Sequence, residues 1–578
     1  MRTKKRKSSA FRIGVVGWVF GFFMALISIR AVYIQAFCNE MLSEKAAGQY
    51  KKLMISRGKR GSIYDRNYNE MAITVDVSSI AAYPKKIDEM QQTAKRLSRT
   101  LQVERKELYQ KLSSGKPFVW VKRQITPKES MDIRELQVSG IGFIPEDGRF
   151  YPNKTLAAQV LGFSGIDGHG LEGIEFYYDR YLQGETGEFK IVRDALGRGL
   201  NEGGDPDREN GGNSLILTLD RNVQYIAERA LKDAVETHSA ETGTAIVMIP
   251  KTGAILAMSH YPFVNPNAYR SYKRENWRNR AVTDSFEPGS TMKIFTAAAA
   301  IETGRATPKT IFFAENGEFR IGKHVIHDVH PHGWLTLAEV VKYSSNIGAV
   351  KMGQMIGAED LYKTLSGFGF GEKTRIDCPG EVSGSLPPAD RWARIDGAVI
   401  AFGQGVSVTA IQLITAVSAI ANDGILMRPY IVQGINDKNG RLLVGFAPKK
   451  TRSVISKETA AALKMLMVQV IEKGGTGTGA ALEGYSACGK TGTAQKVDKS
   501  GGYAKGRYLS SFVGFAPAGN PEIAVLVIID EPKKSYYGGT VAAPAFKRIA
   551  QETLSYLNIP PTENPNSITV QIKDEGTG

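Results

Sequence analysis

The sequence is poor in the residues from which metal centres and disulfide frameworks are built. Three cysteines, Cys38, Cys378 and Cys488, are scattered through 578 residues. They make neither a disulfide scaffold nor a CxxC metal pair. The seven histidines form no HExxH or similar ligand pair, so neither metal nor cofactor is expected. No internal repeat is visible, which excludes solenoids and propellers. A formal net charge of +16 invites a nucleic-acid reading, but zinc-finger spacing and aromatic RNA-binding motifs are both missing. Nucleic acid is therefore not expected as a partner.

What is present is the balance of a globular chain: 42% hydrophobic and 23% charged residues. The length calls for two or three domains. There is one long apolar run, from Ile13 to Ile29 with softer continuation to Phe37, about the roughly 20 residues that cross a bilayer. Arg2, Lys4, Lys5, Arg6 and Lys7 precede it. By the positive-inside rule they stay in the cytoplasm and the bulk of the chain lies outside. A cleaved signal peptide is the competing reading. The run is long for one, and no small-x-small site closes it. The chain thus divides into a basic tail (1–12), a single-pass anchor in the cytoplasmic membrane (13–37), an elongated mixed module (38–213), a catalytic domain (214–558) and a C-terminal tail (559–578).

Within this layout Met41 to Lys52 reads as an amphipathic helix. The Gly-rich polar stretch Asn201 to Asn213 reads as a linker. Ser214 to Asp220 alternates as a strand and Asn222 to Thr237 is helical. Thr244–Ile249 and Ala254–Tyr261 form a hairpin across Pro250-Lys251-Thr252-Gly253. Gly492–Val497, Leu509–Phe515 and Glu522–Ile529 are three more strands, and Ala542–Leu557 a closing helix. Strands at both ends of a helical middle give an α+β pattern.

Three short motifs occur in order: Ser290-Thr291-Met292-Lys293, Ser344-Ser345-Asn346 and Lys490-Thr491-Gly492-Thr493. This trio is a known signature of penicillin-binding proteins and class A β-lactamases. Phe286-Glu287-Pro288-Gly289 breaks structure and Met292–Ala300 is helical, so Ser290 sits at or near a helix N-terminus, where backbone N–H groups favour negative charge. Ser290 and Lys293 share a helix face. Serine needs a base, and lysine serves as one when burial or a second cation lowers its pKa. Lys490 is a candidate for that cation. Each motif alone is weak. Ser-x-x-Lys also starts at Ser56 and Ser113, both with glycine between the pair, and Lys-Thr-Gly also starts at Lys251, in a hairpin turn. Those copies read as loops and a solvated turn.

Nearly the whole chain resembles the class B penicillin-binding proteins. The resemblance rests on the trio, on Arg60-Gly61-Ser62-Ile63-Tyr64-Asp65-Arg66, Arg149-Phe150-Tyr151-Pro152 and Gly170-Leu171-Glu172-Gly173-Ile174-Glu175 in the module, and on Phe402-Gly403-Gln404-Gly405 with Thr409, Gln412 and Leu413. One departure is Tyr68, where the family usually has glycine. The resemblance implies a non-catalytic pedestal or dimerisation-type module, followed by a transpeptidase domain whose central antiparallel sheet is flanked by helices. It implies a serine-type D,D-transpeptidase that cross-links peptidoglycan and is acylated by β-lactams. Ser290 is then the nucleophile, Lys293 the base, and Ser344 the proton relay. Asn346 orients Lys293 and the substrate amide. Lys490 and Thr493, with Thr491 and Gly492, hold the substrate's terminal carboxylate. Ser344 to Gly348, Gly367 to Gly371, Tyr537-Gly538-Gly539 and Ala542-Ala543-Pro544 resemble the division (FtsI-like) branch. That implies a septal role, with stem peptides and lipid-linked nascent glycan as substrates and a glycan polymerase of the FtsW kind and other division proteins as partners. The alternatives are the elongation branch, a β-lactam sensor and an inactive division scaffold.

Overall fold

The computed structural model describes residues 3–37, 51–193, 199–201, 210–498 and 502–561. Most of the expected helix over Met41–Lys52, the middle of the expected linker and most of the C-terminal tail lie outside the described residues. Lys51 and Lys52, the end of that helix in the sequence reading, instead open the strand Lys51–Arg57.

Residues 1–59 and 184–211 make one compact unit. It contains the helix Thr3–Phe37. The 26 residues Phe11–Ala36 have a mean hydropathy of 2.0 and none of them is buried by the rest of the chain. At about 1.5 Å per residue they reach roughly 39 Å, more than the roughly 30 Å of bilayer hydrocarbon. The helix fits a single-pass membrane anchor. The same unit holds a three-stranded antiparallel sheet with Thr186–Arg193 between Lys51–Arg57 and Gly199–Asn201.

Residues 60–183 and 212–578 make the second unit. Its central sheet has five antiparallel strands in the order Ile255–Tyr261, Thr242–Met248, Ile523–Asp530, Tyr503–Ala516, Cys488–Val497. Helices cover both faces. Ala245, Val247, Val525 and Val527 face the terminal helices Arg221–His238 and Ala543–Tyr556. Ile246, Met248, Leu526 and Ile528 face the larger core, with Lys293–Glu302, Ala410–Ala421 and Lys457–Ile471. This is why Ile523–Asp530 reads as an uninterrupted apolar run rather than an alternating one: neither face meets water.

A second, mixed sheet is built on Glu70–Ala82, which pairs along ten residues with Ile141–Phe150 and with Val119–Ile125. Through Ile63–Tyr64 it continues, in parallel, onto Ser214–Leu217 and then Val432–Asn436. The sequence boundary at 213/214 therefore falls inside one sheet and one unit.

Three module motifs, far apart in sequence, meet at Glu175. Arg60 Nε donates to Glu175 Oε2 at 2.7 Å and Arg149 Nε to Oε1 at 2.6 Å. Tyr151 OH donates to Oε1 at 3.1 Å. Glu175 is fully buried. Burial works to raise its pKa, but Arg149 and Arg60 outweigh that and hold it below the ordinary carboxylate value. Close by in sequence, Tyr68 has φ +62. The turn it closes needs a left-handed residue, which glycine adopts without the clash of a Cβ. The departure at Tyr68 thus keeps the turn and accepts some strain.

Candidate active site

The nucleophile motif is held by close backbone approaches. Ser285–Phe286 pairs with Val408–Thr409. Gly289, at φ +52, turns the chain, and its N–H donates to Gly403 O at 3.1 Å. A Cβ on Gly403 would lie 2.1 Å from Gly289 O, so the Phe402-Gly403-Gln404-Gly405 stretch braces this turn. Ser290 follows in a 3-10 turn, Gly289–Met292, which runs into the helix Lys293–Glu302. Ser290 is half-buried. Among the described residues its hydroxyl makes no hydrogen bond.

Lys293 is completely buried. Its Nζ donates to Ser344 O, to Ser344 Oγ at 3.2 Å and to Asn346 Oδ1 at 2.7 Å. Ser344 ends the helix Leu337–Tyr343 in a left-handed conformation, φ +62, a strained state for a residue with a Cβ. It is Ser345, the residue between the two motif positions, that caps the next helix, Asn346–Ile356, by accepting from Gly348 N. The side chains of Ser344 and Asn346 are thereby left to face Lys293.

Lys490 comes from the outer strand of the central sheet, Cys488–Val497. It too is fully buried, and its Nζ donates to Ser344 Oγ at 2.9 Å. The Ser344 hydroxyl therefore sits between two lysines. Two buried ammonium groups around one hydroxyl are costly. Burial brings Lys293 down to about 7, with the Asp328 carboxylate opposing the shift. Burial, then the neighbouring Lys293, puts Lys490 well below its ordinary value. The sequence left burial and a second cation, with Lys490 as its candidate, as alternative causes for a depressed Lys293. In the structure burial is the main cause for both, and Lys490 is the one displaced by its neighbour.

The rest of the third motif packs on the nucleophile turn. A Cβ on Gly492 would meet Ser511 Oγ at 2.3 Å and Thr291 Cγ2 at 3.0 Å. Thr493 Oγ1 accepts from Gly538 N at 3.1 Å. A Cβ on Gly538 would lie 2.4 Å from both Gly492 O and Ser511 O, which is why Tyr537-Gly538-Gly539 carries glycine there. Thr491 Oγ1 lies 3.1 Å from Thr476 Oγ1.

All eight residues singled out in the sequence thus come together, and the duplicate motifs stay apart. Lys251 lies in its hairpin turn and donates to Asn520 Oδ1 and Glu522 Oε1, both at 2.9 Å. Ser113 ends the helix Arg105–Leu112 and returns its hydroxyl to Tyr109 O. Ser56 lies in the strand Lys51–Arg57 of the other unit. Among the described residues no cluster of histidine, cysteine and carboxylate side chains could hold a metal.

One residue escaped the sequence reading. Asp328 accepts from Ser345 Oγ at 2.5 Å, Asn346 N at 2.5 Å and Ile347 N at 3.1 Å. Asn346 Nδ2 is fixed in turn by His327 O at 2.8 Å. Asp328 so pins the helix start that presents Asn346 to Lys293. Its only signal in the sequence was position, a carboxylate shortly before the Ser-x-Asn motif. The groups facing Lys293 are the neutral Ser344 and Asn346, the Lys490 amine and, behind Asn346, Asp328. Asp328→Asn removes the one carboxylate that favours the charged lysine, so the acid limb of the acylation pH profile is expected to move to lower pH. Misplacement of Asn346 should also slow acylation about ten- to hundredfold. Stopped-flow acylation by a chromogenic β-lactam across pH 5–9 measures both effects.

Residues 243–551 match the Penicillin binding protein transpeptidase domain family, and residues 55–217 the Penicillin-binding Protein dimerisation domain family. The chain belongs to the class B penicillin-binding proteins. It is a penicillin-sensitive peptidoglycan D,D-transpeptidase of the serine type. The probable peptidoglycan D,D-transpeptidase PenA of Neisseria meningitidis is 35% identical over 97% of this chain and 95% of its own length. The peptidoglycan D,D-transpeptidase FtsI of Escherichia coli is 31% identical over 100% of this chain and 99% of its own. The crystal structure of penicillin binding protein 3 from Mycobacterium tuberculosis, complexed with aztreonam, superimposes with a TM-score of 0.69 at 28% identity. It covers 88% of this chain and 98% of that one. The match to a dimerisation domain as well as a transpeptidase domain is what distinguishes this chain from a β-lactamase.

Proposed function

We propose that this class B enzyme works through Ser290, at the division septum. The observation that carries the reading is the Ser344 hydroxyl shared between two fully buried lysines, beside a half-buried serine at a helix start. Ser290 Oγ attacks the penultimate D-Ala carbonyl of a stem peptide. Its proton goes to Lys293, whose pKa burial lowers to about 7, so that a substantial share of it is the neutral amine near pH 7. The backbone N–H groups of Ser290 and Thr493 hold the oxyanion, about 3 kcal/mol for each such donor. Ser344 hands its proton to the departing D-Ala amine and takes the one held by Lys293 in its place, and the C–N bond breaks. An amine of a second stem peptide then takes the acyl group, and its proton returns along the same path. Lys490, with Thr491, Gly492 and Thr493, receives the terminal carboxylate. That negative charge favours protonated Lys490 and offsets the cost of its burial. Asn346 holds Lys293 and the substrate amide.

The residue division follows from the same reading. Residues 1–12 lie in the cytoplasm, 13–37 cross the inner membrane once, 38–213 form the pedestal and 214–558 the transpeptidase, outside the cytoplasm. Residues 559–578 are a tail. Similarity to FtsI of E. coli favours septal work, with a glycan polymerase of the FtsW kind supplying lipid-linked strands. One acyl-transfer site cannot tell septum from side wall by its chemistry, so placement rests on the anchor and the module. Depleting the protein is expected to leave filaments in which lateral growth continues, measured by time-lapse microscopy. Rounded cells would assign it to the elongation branch instead.

A further inference from the structure

A second cavity lies away from the transpeptidase centre, in the same unit. It has a volume of about 900 Å3 and is walled by the loop after Gly367, by the strands Ile425–Met427 and Lys450–Ser453, and by the helix Ala410–Ala421. Volumes of this size hold small ligands. Six cationic side chains line it: Lys373, Arg375, Arg428, Lys449, Lys450 and Arg452. Glu372 is the one carboxylate among its lining residues, and it is taken by Arg452 at 2.7 Å. Among the described residues the other five have no ion-pair partner. Like charges gathered in a concave site repel one another and favour an anion between them.

A second observation is independent of that charge. Thr415, on the wall helix, is only 4% exposed and lines the cavity, yet its hydroxyl has no hydrogen-bond partner. A helical threonine usually returns its hydroxyl to the carbonyl one turn back. Thr303 and Thr364 do so here, at 2.7 and 2.9 Å. Arg452 Nε is likewise buried without a partner. Leaving such buried donors unpaired is costly, and both lie in the wall of this one cavity. Phe368 and Leu426 add an apolar portion to it.

We propose that this cavity is a binding site for a small, multiply charged anion. The shared chemistry is a cluster of anionic oxygens, three or more, received by the guanidinium and ammonium groups at the rim and by Thr415 and Arg452 at the wall. Two sources carry it: the carboxylates of a peptide and the phosphates of a sugar carrier. The site is separate from acyl transfer and does not depend on the roles assigned to Ser290 or Lys293.

The test is calorimetric titration of the full-length chain in detergent, with benzylpenicillin present to fill the transpeptidase centre. Hexaglutamate probes the carboxylate source and tripolyphosphate the phosphate source. Saturable 1:1 binding of one or both is expected, weakening as salt rises, and the preferred probe names the source. Lys373→Glu with Lys450→Glu, both exposed positions, should weaken binding at least tenfold, and Thr415→Val about threefold. β-Lactam acylation should be unchanged in these variants, which separates the result from any failure of the catalytic reading. No saturable binding of either probe, or binding that survives the charge reversal, would overturn the proposal.

Discussion

Lys490→Ala is expected to slow β-lactam acylation by at least about a hundredfold, while Lys251→Ala leaves it within a factor of two. Both lysines begin a Lys-Thr-Gly. Lys490 is sealed in the site and donates to Ser344 Oγ. Its loss removes the group proposed to receive the substrate carboxylate and leaves the Ser344 hydroxyl with Lys293 alone. Lys251 is half exposed in a turn and paired with Glu522. A surface ion pair of that kind contributes between about 0 and 1 kcal/mol, and none of it to chemistry. Second-order acylation rate constants for the two variants decide the point. Equal effects would mean that the wrong copy of the motif had been assigned to the site.

Glu175→Ala is expected to destabilise the second unit by about 3–5 kcal/mol, the range for breaking a buried ion pair from one side. The loss strands Arg60 and Arg149, each side chain only 6% exposed, with much of their charge unpaired. Arg60 keeps Asp179 at 2.6 Å, while among the described residues Arg149 keeps the Gly61 carbonyl and the Thr74 hydroxyl and no carboxylate. Arg149 should therefore bear the larger cost. The sign with pH follows from the depressed pKa. Glu175 contributes its full stability above the unfolded carboxylate pKa of about 4.3 and loses it as the pH falls through the lower folded value. Thermal unfolding of the variant should start well below that of the wild type at pH 7, and the gap should narrow in acid. An unchanged melting temperature would mean the motifs meet without holding the module together.

The meeting of the three short motifs was legible because the chemistry they resemble needs particular side chains at short spacing. The hairpin around Lys251 and the strand and helix after Ser214 were legible because their turn residues and apolar patterns are local. Convergence was not legible. Arg60, Arg149 and Glu175 each looked like an isolated marker, and only the fold brings them to one point, the register that sets Arg149 opposite Thr74 together with the helix Gly173–Tyr177. Asp328 was missed for the same reason, since it acts through the backbone of Asn346 and Ile347 rather than through a motif of its own. Gly403 carried its meaning in a positive φ and a close approach to Gly289, which no pattern in a single sequence records. Which cause depresses the lysines was also beyond the sequence. Burial and a nearby Lys490 were both open for Lys293, but depth of burial, the larger effect, is a property of the packed core.

The central claim is that Ser290 is the acylated residue. Intact-mass measurement after benzylpenicillin exposure, followed by peptide mapping, tests it directly. One added penicilloyl group is expected per chain, on the peptide containing Ser290, and none on the folded Ser290→Ala variant, because only a hydroxyl has been removed. A stable adduct mapped to Ser56, Ser113 or Ser344, or an adduct that persists in Ser290→Ala, would contradict the account.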